Sequence, residues 1–515
     1  MIFYLSTSRN IPISKQNIVI LYTDNWDDWF TYSTLYNVYY YFDNGDDIHL
    51  GSIKIGQKGM KDGQRRPDLP DHFENLESIF FSLGQDVSYY ENINKLGDDN
   101  RHELLRGLND IAYDSRIYKL AIKEDVTKTS LLRSVSIVSV EGQFRRLAQG
   151  NAALTPYNFR YNASKHAMGQ GSRMMLDFNI IPNSNPPTNI HVVIGRNGVG
   201  KTHLFNNMIS TLLTGNRVVS KNGYFSNIDS NESDDFFANL ISVSFSAFDE
   251  TYPIEERKDK TKHLKYSYIG LKEIENDYSS NTELTKRQTR GTSKSPDVLK
   301  EEFVKSVEMC RKMAKNARWL NALEILESDQ IFKESEVTQI AKIPIGESFK
   351  KIASSIFGRL SSGHKIVLLT ITRLIETIEE RSLVLLDEPE GYLHPPLLSA
   401  FIRALSDLLI NRNAVAIIGT HSPVVLQEVP KSCVWKLRRH GATAIAERLD
   451  IESFGENVGL LTQEVFGLEV TESGFHKLLQ NLAEETNSYQ EAISMLDNQL
   501  GFEGKSILRN LQYNS

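Results

Sequence analysis

Cysteine is nearly absent. The 515 residues carry two, Cys310 and Cys433, far apart and in no metal-ligand spacing. That excludes a disulfide framework and a cysteine-built zinc site, and it points to a reduced, cytoplasmic chain. Long apolar runs are missing too: none approaches the roughly 20 residues that cross a bilayer, so no membrane association is expected. Met1 to Asn10 shows neither the basic start nor the apolar core of a secretory signal. There is no excess of positive charge. Fifty-eight Lys and Arg against 65 Asp and Glu leave a net −7, which argues against a surface that coats nucleic acid broadly but allows a local basic groove. What is present is the composition of a soluble globular protein, 40% hydrophobic and 24% charged, long enough for two or more domains.

One stretch stands out. Gly195-Arg196-Asn197-Gly198-Val199-Gly200-Lys201-Thr202 reads G-x-x-x-x-G-K-[ST], the pattern of a phosphate-cradling loop. A β-branched run, Ile190 to Ile194, precedes it as a buried strand. A helical run from Thr202 to Thr214 follows and stops at Gly215. Glycines let the backbone wrap an anion with its N–H groups and with the start of the helix. Arg196, Asn197, Gly198, Val199, Gly200, Lys201, Thr202 and His203 are therefore candidate nucleotide-binding residues. Lys201 is placed for the β/γ-phosphates, and the Thr202 hydroxyl for Mg²⁺.

Two later stretches add chemistry. Leu383 to Leu386 is an apolar strand ending in Asp387-Glu388-Pro389. After a phosphate loop such a pair reads as a Walker B element, with Asp387 toward Mg²⁺ and Glu388 toward the attacking water. A strand from Ala414 to Gly419 ends in Thr420-His421-Ser422, and His421 at a strand end can reach a γ-phosphate. Between the phosphate loop and these stretches, Leu360-Ser361-Ser362-Gly363-His364 opens a helix with a small-residue turn. Such a turn is an ordinary helix cap or a second anion site.

The rest is read more coarsely. Residues 1–150 start with strands at Asn17 to Thr23, Trp29 to Phe42 and His49 to Ile55, with a hairpin turn at Asp43-Asn44-Gly45. Their aromatics, among them Trp26, Tyr36 and Tyr40, suit either base stacking or a β core. Helical runs are expected over His72 to Leu83 and Arg101 to Tyr113, and a strand at Val135 to Val140. Tyr157, Phe159 and Tyr161 alternate as on a strand. Thr251 to Ser295 is a polar insertion with basic clusters at 257–265 and 286–290, either a nucleic-acid or partner contact or a solvated segment. A helix start at Ser295-Pro296-Asp297 leads a run of helical spacing to Leu323. The tail alternates helical segments, Phe475 to Glu485 and Tyr489 to Leu500.

The order of phosphate loop, Ser-Gly cap, Asp-Glu strand and His strand resembles the ATP-binding-cassette ATPases, over the loop with its strand and helix and most of residues 355–425. Leu360-Ser361-Ser362-Gly363-His364 is similar to that superfamily's signature, and Thr420-His421-Ser422 to its switch histidine. The resemblance implies ATP and Mg²⁺ as cofactors and a head-to-tail homodimer. Each ATP would lie between one subunit's phosphate loop and the other's Ser361, Ser362 and Gly363. There are departures: Ser362 stands where transporters have a second Gly, His364 where they have Gln, and Ser246 to Asp249 lacks the expected glutamine. These departures look more like the SMC, RecF and OLD-type ATPases. Leu386-Asp387-Glu388-Pro389-Glu390, His394-Pro395-Pro396, His421 to Val429 and Phe454-Gly455-Glu456-Asn457 resemble the Septu ATPases of bacterial anti-phage defence. That likeness implies a separate HNH nuclease as partner and, in some forms, a retron reverse transcriptase with its RNA–DNA.

The expected fold is α/β. Its parts are a β-rich N-terminal region over 1–150, the phosphate-loop half of an ABC-type head over 151–250, a polar and helical insertion over 251–350, the signature, Walker B and histidine half over 351–450, and a helical tail over 451–515. The expected function is an SMC-like ATPase controlling a defence nuclease. Lys201, Glu388 and His421 are its catalytic candidates and Thr202 and Asp387 its metal ligands. A stand-alone DNA repair or recombination ATPase is the alternative.

Overall fold

The computed structural model describes residues 1–6, 18–24, 31–42, 44–60, 63–150, 154–163, 174–215, 222–228, 236–245, 264–274, 291–311, 314–440, 443–467 and 474–513. A seven-stranded sheet dominates it. The strands lie in the order Lys265–Gly270, Asn239–Ser244, Ser382–Asp387, Val415–Thr420, Ile190–Ile194, Val434–His440 and Thr443–Glu447. The first six run parallel, and the last closes a hairpin. Parallel strands are covered on both faces, which is why the central runs Leu383 to Leu386 and Val415 to Ile418 are continuously apolar rather than alternating. Successive residues still face opposite sides. Leu383, Leu385, Ile417 and Val193 enter the core beneath the helix Lys201–Thr214. Val384, Leu386, Ile418 and Val192 face the opposite core.

Helices build that second core: Pro296–Cys310, Ala314–Leu326, Glu347–Arg359, Ser362–Thr377 and Pro395–Asn411. Phe303 stacks on Phe357 with ring centres 4.7 Å apart, and the buried Trp319 indole donates to Thr372 Oγ1 at 3.1 Å. The helical insertion therefore covers one face of the seven-stranded sheet. On the other face a small antiparallel sheet, Tyr224–Ser226, Tyr157–Asn162 and Met175–Ile180, adds Phe159, Tyr161 and Phe178 to the core.

The N-terminal region carries its own six-stranded sheet, in the order His72–Phe73, Ile2–Ser6, Ile18–Thr23, Leu35–Tyr41, Asp47–Gln57, Phe80–Gly84. Tyr36 and Tyr40 are buried in its core, so these two belong to packing rather than to a stacking platform. Trp26, Trp29 and Phe30 lie outside the described residues. Arg146 pairs with Glu380 at 2.8 Å and ties this region to the head. The tail helices Gly474–Glu485, Tyr489–Met495 and Phe502–Tyr513 pack on one another around Leu479, Ala492 and Leu508.

Several sequence expectations are corrected. The helix expected over His72 to Leu83 is replaced by two strands, because Phe80–Gly84 completes the N-terminal sheet beside Asp47–Gln57. Val135 to Val140 is no strand: Ser136 caps a helical turn, and a π-helical segment, Val140–Phe144, follows. The strand expected from Trp29 is described only as Leu35–Tyr41. The helical run to Leu323 divides into Pro296–Cys310 and Ala314–Leu326. Within the polar stretch after Thr251, Lys265–Gly270 is an edge strand of the main sheet. The basic residues at 257–262 and 286–290, and the Ser246 to Asp249 segment, lie outside the described residues.

Candidate nucleotide-binding site

The parallel strands all end at one edge of the sheet, and the candidate residues gather there. Asp387 is in register with Gly419, and Thr420 with Ile194. The histidine strand Val415–Thr420 thus lies between the phosphate-loop strand and the Asp-Glu strand. Ligands of open α/β sheets bind beyond the carboxyl ends of such strands.

The loop itself shows why its glycines are there, for two different reasons. Gly198 and Gly200 take φ of 78° and 108°, with open space where a Cβ would project, so the backbone conformation alone calls for glycine. At Gly195 the limit is space: a Cβ would meet the Leu437 carbonyl at 2.7 Å. Val199 is buried and anchors the loop, while Arg196, Asn197, Gly198 and His203 face solvent. The helix after Gly200 has no acidic residue in its first turn, which leaves its positive end free to attract an anion. Lys201 is folded into the loop and is 4% exposed. Its Nζ donates to the Gly195 and Arg196 carbonyls at 2.9 and 3.1 Å and lies 3.5 Å from Glu388 Oε1.

Thr202 Oγ1 donates to Asp387 Oδ2 at 2.6 Å. A hydroxyl and a carboxylate oxygen on neighbouring elements form the all-oxygen donor set that Mg²⁺ takes, so the residues present fit the ion. Glu388 has a left-handed backbone, φ 46° and ψ 59°, and its N–H donates to the Gly419 carbonyl at 2.8 Å. A non-glycine residue in this region costs about 1 kcal/mol and is concentrated at functional sites. Here it turns the carboxylate back over the loop, between Lys201 and His421, whose Nδ1 is 3.7 Å away.

Glu390 is a site residue that sequence reasoning left without a role. Its side chain is 8% exposed. Oε1 accepts from the Thr420 hydroxyl at 2.5 Å and from the His421 N–H at 2.8 Å, and it lies 3.2 Å from His421 Nδ1. Among the described residues, Oε2 is buried without a hydrogen-bond partner. The carboxylate thus fixes where the histidine stands. Its one sequence signal is a second acid two residues past Glu388.

Ser361, Ser362 and Gly363 form a separate group. Ser361 caps the helix Ser362–Thr377, and its hydroxyl accepts from the His364 N–H at 3.4 Å. Ser361 and Ser362 are exposed, while Gly363 is buried. A Cβ on Gly363 would meet the Tyr392 carbonyl at 2.5 Å, so the cap is fitted against the segment that follows Glu390. Among the described residues, the Ser361 hydroxyl bonds to His364, whereas Lys201, Asp387 and Glu388 bond within their own cluster.

Residues 326–427 match the family model described as "AAA domain, putative AbiEii toxin, Type IV TA system". That span contains the cap, the Asp-Glu strand and His421. Among solved structures, the ATP-binding cassette of an ABC transporter in its ADP conformation is 14% identical, covering 62% of this chain and 100% of that one at a TM-score of 0.31. A component of an ABC transporter complex from Clostridium perfringens is 16% identical, covering 53% of this chain and 82% of that one at 0.27. Protein ea59 of Escherichia phage lambda is 40% identical over 528 residues, covering 98% of this chain and 96% of that protein. The chain belongs to the family of phage lambda protein ea59.

Proposed function

We propose that this chain is a Mg²⁺-dependent ATPase in which two copies close head-to-tail around two ATP molecules. The observation that carries the reading is the convergence of Lys201, Thr202, Asp387, Glu388 and His421 at one sheet edge, with Thr202 bonded to Asp387 at 2.6 Å. In the proposed reaction the loop N–H groups and the helix start bind the phosphates, and Lys201 leaves the Gly195 and Arg196 carbonyls for the β/γ-phosphates. Thr202 and Asp387 would hold Mg²⁺, which would neutralise charge on the phosphates when bound. Glu388 orients and polarises the attacking water. His421, held by Glu390, faces the γ-phosphate.

Two features support the dimer. Ser361 and Ser362 are exposed at a helix start, a suitable anion contact. Yet Ser361 bonds to His364 rather than to the phosphate loop of its own chain. A second copy would bring the cap to the nucleotide. The work coupled to this cycle is proposed from the Septu resemblance: control of a separate HNH nuclease in a phage-defence complex, in some forms with a retron reverse transcriptase and its RNA–DNA. A phage-encoded relative suits a role in contests between phages and hosts.

Replacing Glu388 by Gln tests the reaction. ATP binding is expected to persist while turnover falls about a hundredfold or more. Normal turnover would mean that Glu388 does not activate the water.

A further inference from the structure

The exposed Ser361 hydroxyl is the outer end of a chain of polar groups. Its Oγ lies 2.6 Å from His364 Nδ1. On the far side of the ring, His364 Nε2 lies 3.0 Å from Asp329 Oδ1. The imidazole is buried, 2% exposed, and is packed against the Phe332 ring. Asp329 caps the helix Gln330–Ser335, so the same Oδ1 also accepts from the N–H groups of Ile331 and Phe332, at 3.0 and 3.2 Å. Burial raises the Asp329 carboxyl, but the hydrogen bonds from His364 and the Phe332 N–H outweigh it and hold the group below its ordinary value. It is a fixed, ionised acceptor, built on the helical insertion and aimed at the cap.

Proton positions follow from this. A carboxylate only accepts, so His364 Nε2 carries a hydrogen. In the neutral ring Nδ1 then accepts, and the Ser361 hydroxyl hydrogen points inward to it. A phosphate oxygen approaching Ser361 is also an acceptor and requires that hydrogen to turn outward. Once it turns, Nδ1 faces the Ser361 oxygen with no hydrogen between them. A proton on Nδ1 restores the bond, with the imidazolium donating to Ser361 and to Asp329.

A metal is the rival explanation, since Asp329, His364 and His394 bring ligand atoms within 4.8 Å of one another. His394 argues against it. Its Nδ1 accepts from the Leu397 N–H at 3.3 Å, so its Nε2, 3.6 Å from Asp329 Oδ2, carries the hydrogen and offers no lone pair. Asp329 Oδ1 already takes three donors.

We propose that Asp329 and His364 are positioning residues for Ser361, and that His364 takes up a proton from solvent when a nucleotide phosphate carried by a second copy docks against that hydroxyl. The inference rests on the dimer reading. Asp329 and His394 are the titratable groups the described residues place around His364. The helical insertion thereby senses closure of the dimer through one hydrogen-bonded line.

The test is ATP-driven dimerisation of the Glu388→Gln protein between pH 6 and 9, by analytical ultracentrifugation, with and without the second substitution His364→Gln. Uptake of one proton at each of the two sites makes dimer affinity fall as pH rises, by up to about a hundredfold per pH unit. The His364→Gln protein, which keeps a polar group beside Ser361, is expected to dimerise with a flatter pH dependence. Matching pH profiles would overturn the inference and leave the dimer reading standing. No dimer at any pH would overturn both. Stoichiometric metal in the purified protein, lost in His364→Gln, would overturn the inference in favour of the metal.

Discussion

Thr202 and Asp387 are 185 residues apart in sequence, and their side chains meet at 2.6 Å. One stands on the first turn of the phosphate-loop helix, the other at the end of a strand two positions across the sheet. The bond joins the phosphate-loop helix to the Asp-Glu strand, where the proposed Mg²⁺ would sit.

Replacing Asp387 by Asn keeps the shape and a hydrogen bond to Thr202 but removes the charge that would hold Mg²⁺. Turnover is expected to fall about a hundredfold, with only a small change in melting temperature. Mg²⁺ titration of ATP turnover checks this. A wild-type response to Mg²⁺ would show that Asp387 is not a ligand.

In the proposed reaction Glu390 would act through His421, which it contacts. Glu390→Gln keeps an acceptor for the Thr420 hydroxyl and the His421 N–H but loses the carboxylate beside the ring. We expect a roughly tenfold loss of kcat with little change in the KM for ATP, the pattern of an interaction that matters in the transition state. Steady-state kinetics decide it: a rise in KM alone would make Glu390 a ground-state binding element instead.

The loop, the strands and the cap were legible because each is local. Ile190 to Ile194 followed by the glycine pattern, Gly215 as a stop, the apolar run into Asp387 and Ser361 ahead of a striped helix are all readable within a dozen residues. What was missed depends on partners far away. Phe80–Gly84 is a strand because Asp47–Gln57 offers it an edge. Lys265–Gly270, in a polar stretch, is one because it lies parallel to Asn239–Ser244. Glu390 gains its role from Thr420 and His421 across a chain reversal, and Asp329 from a helix start hidden inside an insertion. Parallel strand order, with the histidine strand between the other two, follows from long-range pairing that local periodicity does not encode.

Asp110 predicts how stability responds to pH. Burial pushes this carboxyl up to about 7, against hydrogen bonds from Tyr113, Tyr90 and Ala112. The unfolded chain releases the same proton near the ordinary value of 3.8. Between these values the native state holds a proton that the unfolded state has lost. The contribution is therefore full below about 4 and is lost as pH rises toward 7. Glu380, also raised to about 7 by burial, acts in the same direction. Asp110→Asn is expected to reduce the fall in Tm between pH 5 and 8. Parallel Tm curves for the two proteins would contradict the burial argument.

The ATP site is proposed to be shared by two copies, and mixing two inactive proteins tests this in one step. Lys201→Ala removes the phosphate contact of one subunit but leaves its Ser361 intact. Ser361→Arg, at an exposed position, blocks the cap but leaves the phosphate loop intact. Neither protein alone is expected to turn over ATP. An equal mixture should recover about a quarter of wild-type turnover, since half the dimers are mixed and each has one complete site. A mixture no more active than its components would contradict the shared site.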